Sequence, residues 1–160
     1  MVYMRCYKYI KIGEMSMIRQ AGFEDVKSVA GLAILLWPEN KIVDLEAEIA
    51  DYIISNNAVI FIFYDETLPV GFAQCGLRND YVEGSKSSPV GYLEGIFVKK
   101  EYRMRGIAKK LLVYCENWAR KQGCSEFASD CELMNTSSLN FHLNAGFEEA
   151  NRIICFKKRL

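Results

Sequence analysis

One stretch of the sequence limits the possible folds more than any other: an apolar run that passes through a short basic turn into a helical pattern. Residues 92–98 are mostly apolar, Arg103 and Arg105 lie in the turn, and helical spacing begins at Gly106. A helix start presents backbone N–H groups at the positive end of the helix dipole, where phosphate binds well. Gly106 and the small Ala108 let a ligand approach the backbone closely. The pattern predicts either a phosphate-binding turn or an ordinary helix start with solvated charges.

The composition fits one globular domain and excludes several classes of partner. The chain has 160 residues, of which 51% are hydrophobic and 25% charged, and its formal net charge is +0. A neutral chain gives no electrostatic reason to bind nucleic acid or an anionic membrane. No apolar run is long enough to span a bilayer and no signal-peptide pattern is present, so we expect a cytoplasmic protein. Residues 1–16 lack a clear period and are interpreted as an extension outside the fold, with the domain covering 17–160.

The cysteine and histidine pattern argues against a metal site. Six cysteines are scattered without a Cys-x-x-Cys pair, and His142 is the single histidine. Zinc sites require closely spaced cysteine and histidine ligands, so we expect no metal. Neither the glycine-rich fingerprint of dinucleotide-binding folds nor the Walker A pattern occurs, which disfavours ligands held in those two ways.

The apolar periodicity predicts the element order β-α-α-β-β-β-α-β-α-β-β. Helices are predicted over 23–37, 43–54, 106–122 and 136–144, and strands from 17 and over 58–64, 70–77, 90–98, 124–131 and, as a pair, 147–158. Helical segments show apolar residues three and four apart, whereas the strands are continuous apolar, β-branched and aromatic runs. This order is typical of an α+β domain with a mixed central sheet.

Two motifs in this order resemble the Gcn5-related N-acetyltransferase family. The first is Arg103-x-x-Gly106-x-Ala108 after a strand, and the second is Asn135 followed by a helix and Gly146-Phe147. The resemblance implies a mixed central β-sheet flanked by helices, with a splayed strand pair that binds acetyl-CoA as co-substrate. The residues that it implies for binding acetyl-CoA are Ile96, Phe97, Val98, Arg103, Met104, Arg105, Gly106, Ile107, Ala108, Lys109 and Asn135.

A closer resemblance is to the aminoglycoside 6'-N-acetyltransferases within that family. It rests on Arg78-Asn-Asp-Tyr-Val-Glu-Gly, on Leu93-Glu-Gly-Ile-Phe-Val, on Trp37-Pro38 and on Ala128-Ser-Asp. It implies acetylation of the 6'-amine of an aminoglycoside or another small amine, and a homodimer. The residues that it implies for substrate binding are Trp37, Tyr81, Glu94 and Asp130.

The chemistry of acyl transfer assigns roles to the acidic residues. An alkylammonium group with a pKa of roughly 10 is neutral in only about one molecule in a few thousand at pH 7. Glu94, between Leu93 and Gly95 in a strand, is the predicted base, acting directly or through water, and Asp130 is the second candidate. The alternative for both carboxylates is that they only hold the cationic substrate, and this is the role that we favour for Asp130. A backbone N–H within 96–98 would polarise the carbonyl, and Gly95 indicates the bulge or splay that frees it.

The chain departs from the family pattern at three positions. His142 stands where many relatives carry a general-acid tyrosine, and it either supplies that proton or has a structural role only. Asn151 and Asn40 stand where the resemblance implies an acidic residue and, in some relatives, a histidine. Two alternatives therefore stay open: a same-fold acetyltransferase for a polyamine, amino sugar or protein lysine, and a non-catalytic acyl-CoA-binding module.

Overall fold

The computed structural model describes residues 16–160, and in this part five strands and four α-helices form one layered unit. The elements are β1 (Ser16–Gln20), α1 (Val26–Leu36), α2 (Ile42–Ile54), β2 (Ala58–Asp65), β3 (Leu68–Arg78), β4 (Val90–Val98), α3 (Ile107–Lys121), β5 (Phe127–Ser129) and α4 (Thr136–Ala145). β1 begins at Ser16, the last residue of the predicted extension, and residues 1–15 lie outside the described part. Across the described residues, no helix is both long and apolar enough to cross a membrane.

The sheet is mixed, as predicted. Its strands lie in the order β1-β2-β3-β4-β5, with antiparallel pairing from β1 to β4 and parallel pairing between β4 and β5. A parallel pair needs a crossover connection, and α3 supplies it between β4 and β5. The turn between β2 and β3 makes the predicted hairpin. The α+β class is confirmed.

The helices cover both faces of the sheet, which explains why β2 reads as an unbroken apolar run. Ile60 and Ile62 of β2 face the layer formed by α1 and α2. Val59, Phe61 and Phe63 alternate with them and face α3. The buried apolar residues of α3 are Ile107, Leu111, Leu112, Cys115 and Ala119, at the three- and four-residue spacing expected of one helix face.

A buried ion pair ties β1, β2 and the turn before α1 together. Asp25 is 2% exposed and is the one buried charged residue of the described chain. Both Asp25 carboxylate oxygens accept from the Arg19 guanidinium, and they also accept from the Gly22 N–H at 2.9 Å and the Tyr64 hydroxyl at 2.7 Å. Burial alone would raise the pKa of Asp25, but the hydrogen bonds from Arg19, Gly22 and Tyr64 outweigh it and hold the pKa below its usual value.

The C-terminal residues differ from the sequence prediction. The strand pair predicted within 147–158 is wrong, because the structure has no regular secondary structure there. The strand predicted over 124–131 shortens to the three residues of β5. Ile153, Ile154 and Phe156 have strand-like side chains but stay exposed. A strand forms only against a partner, and within this single chain the segment has none.

Candidate active site

Glu94 lies at a β-bulge in the middle of β4. Gln74 of β3 pairs with Gly95 and Cys75 pairs with Leu93, so Glu94 is the extra residue of the bulge. A bulge turns a side chain out of the regular alternation of a strand, and bulges are common beside active sites. The prediction of a bulge near Gly95 is confirmed.

Gly95 has a second function that the sequence did not indicate. A Cβ at Gly95 would lie 2.7 Å from the indole ring of Trp37, which is closer than carbon atoms approach. The missing side chain therefore lets the Trp37 ring, at the end of α1, pack closely against Gly95 of β4. Trp37 also contacts Phe72 edge-on at 6.1 Å, so the ring belongs partly to the core and partly to the site.

Two adjoining openings meet at Glu94. The first, of about 290 Å³, is lined by Trp37, Asn40, Leu45, Glu48, Ile49, Gln74 and Glu94. The second, of about 550 Å³, shares Glu48, Gln74 and Glu94 and adds Asp51 and Tyr52 among its lining residues. Sequence reasoning missed Glu48 and Asp51. The signal was there: Glu48 flanks Ile49, and the buried Leu45 and Ile49 show which side of α2 faces the sheet.

Arg78 and Tyr92 connect the two predicted acids. The Arg78 guanidinium donates to both oxygens of Glu94, from Nε at 3.2 Å and from Nη2 at 2.8 Å. It lies over the Tyr92 ring, with Cζ 3.3 Å from the ring centroid. The Tyr92 hydroxyl donates to Asp130 at 2.6 Å. Burial and this hydrogen bond raise the pKa of Tyr92, so the hydroxyl stays protonated and remains a donor. These contacts join Glu94, Arg78, Tyr92 and Asp130 into one network.

The β4–β5 pair separates immediately after Leu93. The pairing ends at Leu93 opposite Ser129, whereas β4 continues to Val98. Residues 94–98 therefore have no β5 partner, which is the predicted splay. At the separation the Ser129 hydroxyl donates to the Leu93 carbonyl at 3.0 Å.

His142 is fixed at the same place. Its Nε2 lies 2.9 Å from the Ser129 hydroxyl, and its Nδ1 lies 2.7 Å from the Ser138 carbonyl. The rings of Phe141 and Phe147 meet the imidazole edge-on, at 5.4 and 5.1 Å. The ring is thus held on both sides and anchors α4 to the end of β5.

The basic turn before α3 has the predicted shape. Gly106 is the N-cap residue with φ 73°, and no side chain caps the helix, so the first N–H groups of α3 are available. Met104 also has a positive φ, 62°, and its side chain is fully exposed. Arg103 donates to the Val98 carbonyl at 2.9 Å, and Arg105 lies over the Tyr102 ring at 5.1 Å, so both guanidinium groups stay at the turn.

Two predicted site residues stand apart from this arrangement. Tyr81 is 81% exposed in the loop between β3 and β4 and lines neither opening. The Asn135 side chain is used locally, because its oxygen accepts from the Ser138 N–H at 3.0 Å and caps α4. Of the other predicted acetyl-CoA residues, Ile96, Phe97 and Val98 pair with β3 but lie beyond the end of the β5 pairing, and Ile107 is buried at the start of α3.

The strand separation after Leu93, the bulge at Glu94 and the uncapped start of α3 follow one another along the chain. Residues 27–147 match the Acetyltransferase (GNAT) family. The chain therefore belongs to the acetyltransferase (GNAT) family. Its fold and its resemblance to that family, both predicted from sequence, are confirmed.

Relatives within the family narrow the class. The aminoglycoside N(6')-acetyltransferase type 1 of Salmonella enteritidis is 38% identical over 142 residues, which are 89% of this chain and 98% of the relative. The solved structure of the aminoglycoside N-acetyltransferase AAC(6')-Iy in complex with CoA matches with a TM-score of 0.90 at 36% identity, over 94% of this chain and 99% of that chain. A structure of AAC(6')-Iy with the bisubstrate analogue CoA-S-monomethyl-acetylneamine matches with a TM-score of 0.87 at 37% identity, over 91% and 99%.

Proposed function

We propose that this protein transfers the acetyl group of acetyl-CoA to the 6'-amine of aminoglycosides and thereby inactivates them as antibiotics. The observation that carries the proposal is the position of Glu94. At the β-bulge its side chain lines an acidic cleft, and the residue directly follows Leu93, where β4 and β5 separate. Glu48 and Asp51 add negative charge to the lining, which suits a polycationic amine. The names of the relatives support the same reaction and substrate class.

The turn before α3 and the part of β4 that has no β5 partner are proposed to hold acetyl-CoA. Backbone N–H groups of 104–109 would bind the pyrophosphate, assisted by Arg103 and Arg105. On the side of β4 that β5 leaves open, the backbone of 96–98 would bind the pantetheine arm and polarise the thioester carbonyl. Asn135 would contact the arm further along, next to the helix that it caps.

The amine must lose a proton before it attacks. We assign this step to Glu94, directly or through a water molecule, because its carboxylate lines the cleft. The nitrogen lone pair then bonds to the carbonyl carbon, the carbon–sulfur bond breaks and the thiolate of CoA leaves. The nitrogen releases its second proton, and the products are the neutral amide and, once the thiolate is protonated, CoA. Asp130 is assigned to hold the cationic substrate, and Trp37 is assigned as an apolar wall of the cleft. Tyr81 lines neither opening and would contact the substrate only from the loop between β3 and β4.

His142 is assigned to return a proton to the leaving thiolate. It lies at the strand separation, where its Nε2 contacts the Ser129 hydroxyl that donates to the Leu93 carbonyl. A thiol has a pKa near 8.5, so the CoA thiolate is a good leaving group. Its departure therefore needs little help from an acid.

We further infer that the protein is a cytoplasmic homodimer. Ile153, Ile154 and Phe156 form an exposed apolar segment, and β5 is a short strand at the edge of the sheet. A second copy would bury such a segment by pairing, and sedimentation equilibrium will measure the mass. The cytoplasm supplies acetyl-CoA, and its reducing conditions fit the five free cysteines of the described chain.

The reaction is tested by measuring thiol release from acetyl-CoA with two matched substrates. One is kanamycin, which carries a 6'-amine, and the other is an aminoglycoside with a 6'-hydroxyl in its place. Turnover with the amine alone is expected and would establish both reaction and position. Equal turnover with both would point to another amine of the substrate, and turnover only with polyamines or lysine peptides would replace the substrate class.

Gly106→Ala is expected to weaken acetyl-CoA binding about tenfold or more, seen as a raised KM. A Cβ at Gly106 meets no atom within 4 Å in the free chain, so the methyl group costs only the strain of its φ, about 1 kcal/mol. With a phosphate bound at this turn, the methyl group would meet the ligand. Gly123→Ala is the matched control, because Gly123 also has a positive φ and open space but follows the other end of α3. A similar rise in KM from both variants would contradict the proposed phosphate site.

A further inference from the structure

Arg78 neutralises the carboxylate to which the proposed reaction assigns the substrate amine. Its guanidinium makes a two-point contact with Glu94, and the two side chains are 43% and 28% exposed. An arginine stays charged at every physiological pH, so in the free chain this cation is always present beside Glu94. A substrate ammonium and the guanidinium therefore compete for the same two oxygens.

Arg78 has a second interaction partner, the Tyr92 ring, which remains available when a substrate ammonium binds Glu94. Its guanidinium already lies on the Tyr92 ring at 3.3 Å, and that contact does not depend on Glu94. The hydroxyl of Tyr92 leads to Asp130, whose negative charge also acts on Arg78. Losing Glu94 would therefore leave the guanidinium stacked and near a carboxylate.

The opposite wall of the cleft supplies what a displacing substrate needs. Glu48 and Asp51 of α2 are exposed, line the openings that Glu94 also lines, and have no salt-bridge partner among the described residues. A substrate with several ammonium groups can contact them while one group takes Glu94. A substrate with a single charge has nothing to offset the loss of the Arg78 contact.

We propose that Arg78 is a specificity-determining residue: an internal counter-ion that the substrate must displace from Glu94, which selects polycationic amines over singly charged ones. The proposal rests on the proposed function, because it takes Glu94 as the site of the substrate amine. It predicts that removing the guanidinium strengthens binding, whereas a residue that only positions Glu94 would weaken binding when removed.

The test compares Arg78→Gln with the unchanged protein, using kanamycin and a monoamine sugar, methyl 6-amino-6-deoxyglucoside. Titration calorimetry is expected to show kanamycin binding about five- to tenfold tighter, with KM lowered to match and kcat within about twofold. The monoamine is expected to gain at least as much. Arg120→Gln is the control, since Arg120 forms an ion pair with Glu116 at the surface of α3. Its loss is expected to change neither the kanamycin affinity nor KM and kcat.

A double variant separates competition for Glu94 from general repulsion of cations. In a Glu94→Gln background, Arg78→Gln is expected to change kanamycin affinity by less than about twofold, because the shared carboxylate is gone. A full five- to tenfold gain in that background would overturn the proposal. Weaker or unchanged kanamycin binding by Arg78→Gln alone would also overturn it.

Calorimetry keeps this test separate from the test of the reaction. Tighter kanamycin binding by Arg78→Gln without any thiol release from either protein would refute the acetyl transfer and support the role of Arg78. Turnover by the unchanged protein with no gain in affinity by Arg78→Gln would do the reverse. Absence of both binding and turnover would overturn both.

Discussion

Glu94→Gln is expected to lower kcat/KM for aminoglycosides by about 10²- to 10³-fold, the largest effect on activity that we predict. The change removes the proposed base and, with it, the carboxylate proposed to bind the substrate amine in the cleft. Both consequences act on the amine and neither acts on the turn before α3. The measurement is steady-state thiol release over a range of kanamycin concentrations, with KM for acetyl-CoA expected to change by less than about threefold.

Glu116→Gln is the matched control for this prediction. Glu116 also forms an ion pair with an arginine, and its side chain is 25% exposed against 28% for Glu94. It lies on α3, lines neither opening and has no proposed role in the reaction. Unchanged activity is expected from this variant. If Glu94→Gln retained more than about a tenth of the activity, general-base catalysis by Glu94 would be refuted, and the amine would have to lose its proton by another route.

The largest expected effect on stability comes from Asp25→Ala, which we predict to lower the free energy of unfolding by about 2–4 kcal/mol. The variant strips the Tyr64 hydroxyl, the Gly22 N–H and the Arg19 guanidinium of their acceptor at once. Arg19 is partly exposed and can regain water, which keeps the estimate at the lower end for a broken buried pair. Urea unfolding at pH 7 measures the loss. It corresponds to a fall in Tm of roughly 2–4 °C for each kcal/mol.

The pH dependence of this effect has a definite sign. The pKa of Asp25 is lower in the folded protein than in the unfolded chain, so its contribution is fully present above the unfolded value, about 4, and is lost as pH falls through the folded value. The difference between the unchanged protein and Asp25→Ala is therefore expected to shrink below about pH 4. Glu24→Gln is the control, because Glu24 lies 3.8 Å from the same Arg19 but is exposed, and its effect is expected to stay within about 0.5 kcal/mol. A loss as large from Glu24→Gln would contradict the assignment to the buried pair.

Local patterns in the sequence were sufficient where short-range forces decide the structure. The apolar strand, the basic turn and the helical spacing that follows predict a helix start at Gly106, and the structure places α3 at Ile107–Lys121 with Gly106 as its N-cap residue. The unbroken apolar run of β2 predicts a central strand, and the sheet order confirms it by placing β2 between β1 and β3. Gly95 indicated a bulge, and the bulge is there.

The predictions failed where a partner from elsewhere in the chain, or from outside it, decides the outcome. Residues 147–158 have the composition of a strand, but no neighbouring edge within the chain pairs with them. No sequence motif assigns a role to Tyr92, yet in the structure its hydroxyl donates to Asp130 and its ring lies under the Arg78 guanidinium. Nothing near Tyr92 in the sequence indicates either contact, since Arg78 and Asp130 lie on other elements.

The sequence by itself determined the class of fold, the family and the helix start at Gly106, and it indicated the bulge beside Glu94. These depend on periodicity, on backbone conformation and on motifs that are contiguous along the chain. Only the tertiary structure decided what surrounds Glu94: Arg78 across the β3–β4 pair, Trp37 against Gly95, and Glu48 on α2. The physical reason is that charge–charge contacts and close packing depend on distances between strands and helices that are far apart in sequence, and these distances are set only when the sheet and its two helical layers assemble.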